Sequence, residues 1–264
     1  YILNVDKVPT IQGFELELDY PAYTGKRDEV LKSTGNALVP QGTNITWKVN
    51  TSATDLVQFR TADKNTNFSS EAGGLFAFAK AISQPLPYSI VTSNNNVRDH
   101  EQLDFKIEVI ADEFPELSME MKLDSVDDRI MYFKGQAADD YGICKLQLVY
   151  YKNDDTTNKT VVALPNSGGT YQQFVRAFPS NLLLEPGNSY SFYFEVIDND
   201  AVNAFKSTKS EVYSYNKASV DEEEDLQLKE QKESLSNLEK ALKEQQKEQN
   251  LIKELSQDQI EKDA

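Results

Sequence analysis

The sequence predicts a mainly β protein, with two tandem immunoglobulin-like or fibronectin III-like sandwiches followed by a long C-terminal α-helix. Three observations carry that expectation. Apolar and polar residues alternate along most of the first 216 positions, the period of a strand with one buried face. Gly, Pro and Asn break the alternation into short runs. Near residue 220 the composition changes to Glu, Gln, Lys and Leu, with no Gly, Pro or aromatic residue beyond it. The 264 residues are enough for about two domains.

The first unit is expected over 1–112. Phe14, Leu16, Leu18 and Tyr20 fall on one face, and Glu15, Glu17 and Asp19 on the other. Ile45, Trp47 and Val49 alternate with Thr46 and Lys48, which places Trp47 in a core. Phe105, Ile107 and Val109 repeat the pattern. Between Glu71 and Ile82 a helix is conceivable, but the Gly73-Gly74 pair argues against it. A short, stiff linker follows at Asp112-Glu113-Phe114-Pro115, because Pro115 fixes its own φ and biases Phe114 toward extended backbone.

The second unit is expected over 116–217. Met119, Met121 and Leu123 alternate, as do Met131 and Phe133, then Cys144, Leu146, Leu148 and Tyr150. Tyr190, Phe192, Phe194 and Val196 follow, and Val212, Tyr213 and Tyr215 close the series. About seven strands in roughly 100 residues is the size of an immunoglobulin-like sandwich. Leu184-Glu185-Pro186-Gly187-Asn188-Ser189-Tyr190 resembles the turn before strand F of fibronectin type III domains, where the Tyr hydroxyl bonds back to nearby backbone. Cys144 shares its alternation with Leu146 and Leu148 and reads as a buried thiol.

A helix is expected over 221–264. It holds fourteen acids and seven lysines, −7 of the total −16, and opens on Asp221-Glu222-Glu223-Glu224-Asp225, which complements the helix dipole. Leu228, Leu235 and Leu242 are seven apart, with Leu238 and Ile252 on the neighbouring seam position. Gln231, Gln245 and Gln249 interrupt this heptad, weakening a coil while helping to set its register. The stripe pairs with another copy or another protein, lies along a sandwich, or stays in solvent.

Charge and composition narrow the function. Acids outnumber bases 43 to 27, so phosphate backbones and anionic lipid are repelled and no nucleic acid partner is expected. One Cys and one His exclude an internal disulfide, a Cys/His zinc site, and any Ser-His-Asp or Cys-His machinery that does not use His100. His100 follows Arg98-Asp99 in a polar loop and is expected at the surface. Apolar runs are too short for a membrane span, so membrane contact is expected only through segments absent from this chain. It starts at Tyr1 and stops within a helical pattern, and reads as a piece of something longer. Asn44, Asn50, Asn67 and Asn158 head glycosylation sequons, too common by chance to establish glycosylation.

Carboxylates form the one candidate chemical constellation. Asp139-Asp140-Tyr141-Gly142 and Asp198-Asn199-Asp200 would be B–C and F–G loops at the same end of the second sandwich. Asp139, Asp140, Asp198 and Asp200 are oxygen ligands suited to calcium, although Asp and Asn equally close turns through their own backbone. No cofactor other than calcium is expected. A glycosidase needs two carboxylates in an aromatic-lined cleft, and the aromatics here fall on strand cores, so no enzyme is expected.

Asp19-Tyr20-Pro21-Ala22-Tyr23-Thr24-Gly25-Lys26 and Val39-Pro40-Gln41-Gly42-Thr43-Asn44-Ile45-Thr46-Trp47 are the most distinctive stretches. With the two Asp loops and the Glu/Gln/Lys helix in the same order, the chain resembles an uncharacterised family of large bacterial envelope proteins of the Bacteroidota type. That resemblance implies membrane helices before residue 1, β-sandwich domains on the periplasmic side of the inner membrane, and a long helical region afterwards. The functional expectation is a non-catalytic, extracytoplasmic scaffold or protein-interaction segment that holds the helix toward a partner. The alternative is a calcium-dependent adhesion or glycan-binding module.

Overall fold

The computed structural model describes residues 7–127 and 129–262, with helix side chains described through residue 249. The strands in chain order are β1 (Thr10–Asp19), β2 (Glu29–Lys32), β3 (Ala37–Pro40), β4 (Thr43–Ser52), β5 (Leu56–Arg60), β6 (Asn65–Asn67), β7 (Ser69–Ser70), β8 (Leu75–Ile82), β9 (Leu86–Ser93) and β10 (Glu101–Ile110). They form two sheets, β2-β1-β4-β8-β7 and β3-β10-β9-β5-β6. The chain changes sheet between β2 and β3, and β3 then runs parallel to β10 while the other pairings are antiparallel. Leu16, Ile45, Trp47, Val49 and Ile107 are wholly buried between the sheets, as their alternation predicts. Trp47 meets Phe59 at 4.9 Å and Tyr88 at 5.5 Å between ring centres. The Gly73-Gly74 pair sits in a single 3-10 turn, Ala72–Gly74, before β8, and both glycines have positive φ, so the stretch from Glu71 to Ile82 forms a turn and a strand rather than an α-helix.

The second series is β11 (Glu116–Leu123), β12 (Met131–Ala138), β13 (Ile143–Lys152), β14 (Asp155–Ala163), β15 (Tyr171–Phe178), β16 (Ser189–Asp198), β17 (Ser207–Lys209) and β18 (Tyr213–Asn216). One sheet runs β11-β12-β15; the other runs β14-β13-β16-β17, with β18 also paired to β16. β17 and β18 pair with successive stretches of β16, Glu195–Ile197 and Ser189–Phe192, and together fill one strand position, which gives the three-plus-four arrangement of a fibronectin III-like sandwich. Its core is largely aromatic, with Phe178 stacked on Phe192 at 3.8 Å and Phe133 edge-on to Phe192. Gly135 is required in β12, since a Cβ there would collide with the Phe174 ring.

The turn before β16 behaves as its sequence predicts. Tyr190 is buried and its hydroxyl accepts the Glu185 backbone N–H at 2.9 Å. Tyr190→Phe keeps the ring but strands that amide, and is expected to cost about 1 kcal/mol. Urea unfolding would show it as a lower midpoint at unchanged slope; an unchanged midpoint would mean the corner bond is dispensable.

One residue departs from the alternation. Cys144 is exposed, not buried. The β13–β16 register slips between Ile143 and Lys145, so Ile143 and Leu146 both point inward and the residue after Ile143 turns outward.

The helix α1 (Val220–Lys262) starts at a capping box. Glu222 N–H donates to Ser219 Oγ at 3.3 Å, and Glu222 Oε2 accepts the Ser219 N–H at 2.8 Å. Lys217 pairs with Glu223 at 2.5 Å, tying the first turn to the end of β18.

Candidate functional site at the joint between the sandwiches

The two distinctive motifs of the first sandwich and the two Asp loops of the second meet at one place. After β1, Pro21 is extended, Ala22–Thr24 make a single 3-10 turn, and Gly25 closes it at φ 62°. The turn buries Tyr23, whose hydroxyl donates to Gln41 O at 2.8 Å in the turn before β4. The Tyr23 ring stands at 90° to Tyr141 of the loop joining β12 to β13, with centres 5.1 Å apart. Asn199 Nδ2, from the loop after β16, donates to Tyr23 O at 3.1 Å and to Tyr141 O at 3.3 Å. A single amide thus bridges both Asp loops and the other sandwich. Asn203 Nδ2 adds a bond to Gln41 Oε1 at 3.1 Å. Gly42, at φ 89°, lets Val202 approach so closely that a Cβ would lie 3.0 Å from its methyls.

Below this contact lies a buried charge cluster. Lys206 Nζ bonds Asp112 of the linker and lies 3.4 Å from Asp200 and 3.5 Å from Asp198. The three carboxylate side chains are at most 1% exposed and the Lys206 side chain 12%. The loop acids Asp198, Asp200 and Asp139 also close local backbone. Asp198 Oδ1 accepts the Asp200 N–H, Asp200 Oδ1 accepts those of Val202 and Asn203, and Asp139 Oδ2 accepts those of Tyr141 and Gly142. Asp112 Oδ1, Asp139 Oδ1, Asp198 Oδ2 and Asn199 Oδ1 are buried with no hydrogen-bond donor. Burial, then the Asp139 and Asp200 charges, pushes Asp198 up to about 6 against the pull of the Asp200 and Lys206 backbone amides. Burial raises Asp139 as well, and lowers Lys206.

Three of the four aspartates singled out as calcium ligands therefore come together, while the Asp140 side chain is exposed. Positive charge beside Asp198 and Asp200 comes from Lys206. Among the described residues, no group of three or more His, Cys, Asp or Glu side chains is arranged to hold a metal ion. Sequence reasoning missed Lys206, and it missed the part that Asp112, Tyr23 and Asn199 play at the joint. The Tyr-Pro-x-Tyr-Thr-Gly stretch carried a signal, but only that of a strand end. A hollow of about 500 Å³ over the first sheet is lined by Gly13, Glu15, Lys32 and Lys48, and Glu15 is paired to Lys32 at 3.4 Å. It holds no free carboxylate pair. His100 is exposed.

No protein-family model and no curated protein sequence matches the chain. Among solved structures, a DUF3823 family protein from Bacteroides ovatus overlaps 62% of this chain and 89% of its own, at 10% identity and a TM-score of 0.27. The FN1–FN3 domains of chicken CNTN1 overlap 77% of each chain at 11% identity, TM-score 0.27. Fibronectin(III)-like modules of Clostridium thermocellum CbhA overlap 69% of this chain and 89% of theirs at 13% identity, TM-score 0.24. The fold assignment rests on the strand orders given above.

The helix supplies the second candidate surface. Leu228, Leu235, Leu238 and Leu242 are between 52% and 65% exposed, and every described side chain from 227 to 249 is exposed. The helix does not lie along either sandwich over that span. The Ile252 side chain lies outside the described residues. No described helix is long and apolar enough to cross a membrane.

Proposed function

We propose that this chain is a non-catalytic scaffold segment of a larger bacterial envelope protein, on the periplasmic side of the inner membrane. Two sandwich units, 1–112 and 116–217, form a jointed arm that presents the acidic helix 221–264 to a protein partner. The observation that carries this reading is the exposed seam of Leu228, Leu235, Leu238 and Leu242 on a helix capped directly against the second sandwich. The bridging Asn199 and the Lys206 cluster support it, because they couple the two units through specific bonds. A chain ending at residue 219 is expected to stay folded by circular dichroism and to lose protein capture or self-association. Unchanged association in pull-down and light scattering would refute the proposal.

One observation favours a second reading, a calcium-dependent adhesion or glycan-binding module. Asp139 Oδ1 and Asp198 Oδ2 are buried acceptors without donors in the same loop cluster. Titrating calcium against the melting temperature separates the two readings. An upward shift at millimolar calcium supports the second, and no shift removes it.

A further inference from the structure

We infer that the helix seam is built to bind a second copy of this chain, as a parallel, in-register, two-stranded coil. The inference rests on the reading of the helix as a binding element and names its partner. The seam positions over 228–249 run Leu228, Gln231, Leu235, Leu238, Leu242, Gln245, Gln249, alternating three and four apart. In a parallel, in-register pair every layer meets itself. Leucine then packs on leucine, and each glutamine amide faces an identical amide that offers both a donor and an acceptor. Shifting one copy by a heptad sets Gln231 against Leu238 and Leu242 against Gln249. An antiparallel alignment with Leu242 against Leu238 sets Leu235 of one copy against Gln245 of the other. Either arrangement buries amides against apolar side chains with no bond in return. The glutamine spacing thus selects one register.

Charge agrees with a homotypic pair. Residues 228–249 hold five glutamates (230, 233, 239, 244, 248) and five lysines (229, 232, 240, 243, 247), so two copies meet with no net repulsion. The surplus acids are concentrated at Asp221–Asp225, one turn before the first leucine layer. Asp221 and Glu224 would occupy seam positions there, and their repulsion ends the coil before it reaches the sandwiches. The seam is also narrow. Its flanking positions hold Lys232, Ser234, Glu239, Gln246 and Glu248 beside the small Ala241, and a bundle of more strands would have to bury the five polar ones.

The test uses the full chain. Sedimentation across a concentration series is expected to give twice the 29.8 kDa chain mass. Leu235→Asp with Leu238→Asp is expected to weaken the dimer by about a hundredfold or more, whereas Lys240→Gln, on the outer face, leaves it unchanged. Added sodium chloride is expected to tighten the pair by screening the two Asp221–Asp225 runs from each other. Orientation is read by cross-linking. In a Cys144→Ser background, Gln231→Cys is expected to form a covalent dimer under mild oxidation. A monomer, a threefold mass, or cross-linking only when Gln231→Cys and Gln249→Cys chains are mixed overturns the inference. Helix-dependent capture of a different protein by a chain that stays monomeric would overturn self-pairing while leaving the scaffold reading in place.

Discussion

Lys206→Met is expected to cost the protein about 3–5 kcal/mol at neutral pH, a size set by leaving buried charge without its counter-ion. The side chain it removes is the shared cation of Asp112, Asp198 and Asp200, none of which is more than 1% exposed. Met fills similar volume, so the cost is electrostatic rather than a cavity. Chemical denaturation followed by circular dichroism at pH 7.5 and pH 5 checks it. The loss is larger at pH 7.5, because at pH 5 a proton on Asp198 does part of the work of the missing ammonium. Adding Asp198→Asn to Lys206→Met recovers part of the loss, a coupling expected of contacting charges. A loss under about 1 kcal/mol at both pH values would show that water, not Lys206, neutralises the cluster. Since Asp112 lies in the linker and Lys206 in the second sandwich, the same substitution loosens the joint. Small-angle scattering is expected to show a broader distribution of lengths for the variant.

What could be read in the sequence follows from how local each cause is. Strand faces such as Leu16-Leu18 and Phe192-Phe194 were legible because successive side chains point to opposite sides of a sheet, whatever the sheet packs against. The Tyr190 corner was legible because its partner, the Glu185 amide, is five residues away. The convergence of the two Asp loops followed from sandwich topology. Cys144 was misread because a one-residue slip against β16 reverses the alternation, and nothing in Ile143-Cys144-Lys145 announces it. The parallel pairing of β3 with β10 joins Ala37 to Ile107, beyond the reach of any local pattern. The joint was the least legible part. Lys206 and Asp112 are 94 residues apart, and Asn199 and Tyr23 are 176 apart. Each looks like an ordinary loop residue until both sandwiches are built. The Tyr23 turn and the Gly42 turn stood out as sequences, yet their role depends on a surface contributed by the other unit.

The pH dependence of the joint has a sign that distinguishes it from ordinary acid denaturation. A carboxyl whose pKa rises from 3.8 to about 6 on folding binds its proton more tightly in the folded state than in the unfolded one. Its contribution is therefore fully favourable below the unfolded value and is lost as pH climbs through the folded one. Between pH 4 and pH 7 this costs about 2.4 kcal/mol, most of the roughly 3 kcal/mol that the whole shift is worth at about 1.36 kcal/mol per unit. Asp139, raised by burial, acts in the same direction. Asp99, Asp104, Asp124, Asp127 and Asp155 are held below their usual range by hydrogen bonds, so they act in the opposite direction and at lower pH. Asp198→Asn isolates the first group. Its amide nitrogen must either face Lys206 or lose the Asp200 N–H, so the variant carries a penalty that does not change with pH. The readout is thus the slope, not the level. The stability of Asp198→Asn relative to the natural chain is expected to rise by about 2.4 kcal/mol from pH 4 to pH 7. A flat difference across that range would mean that Asp198 stays ionised in the folded protein and that Lys206 fully compensates it.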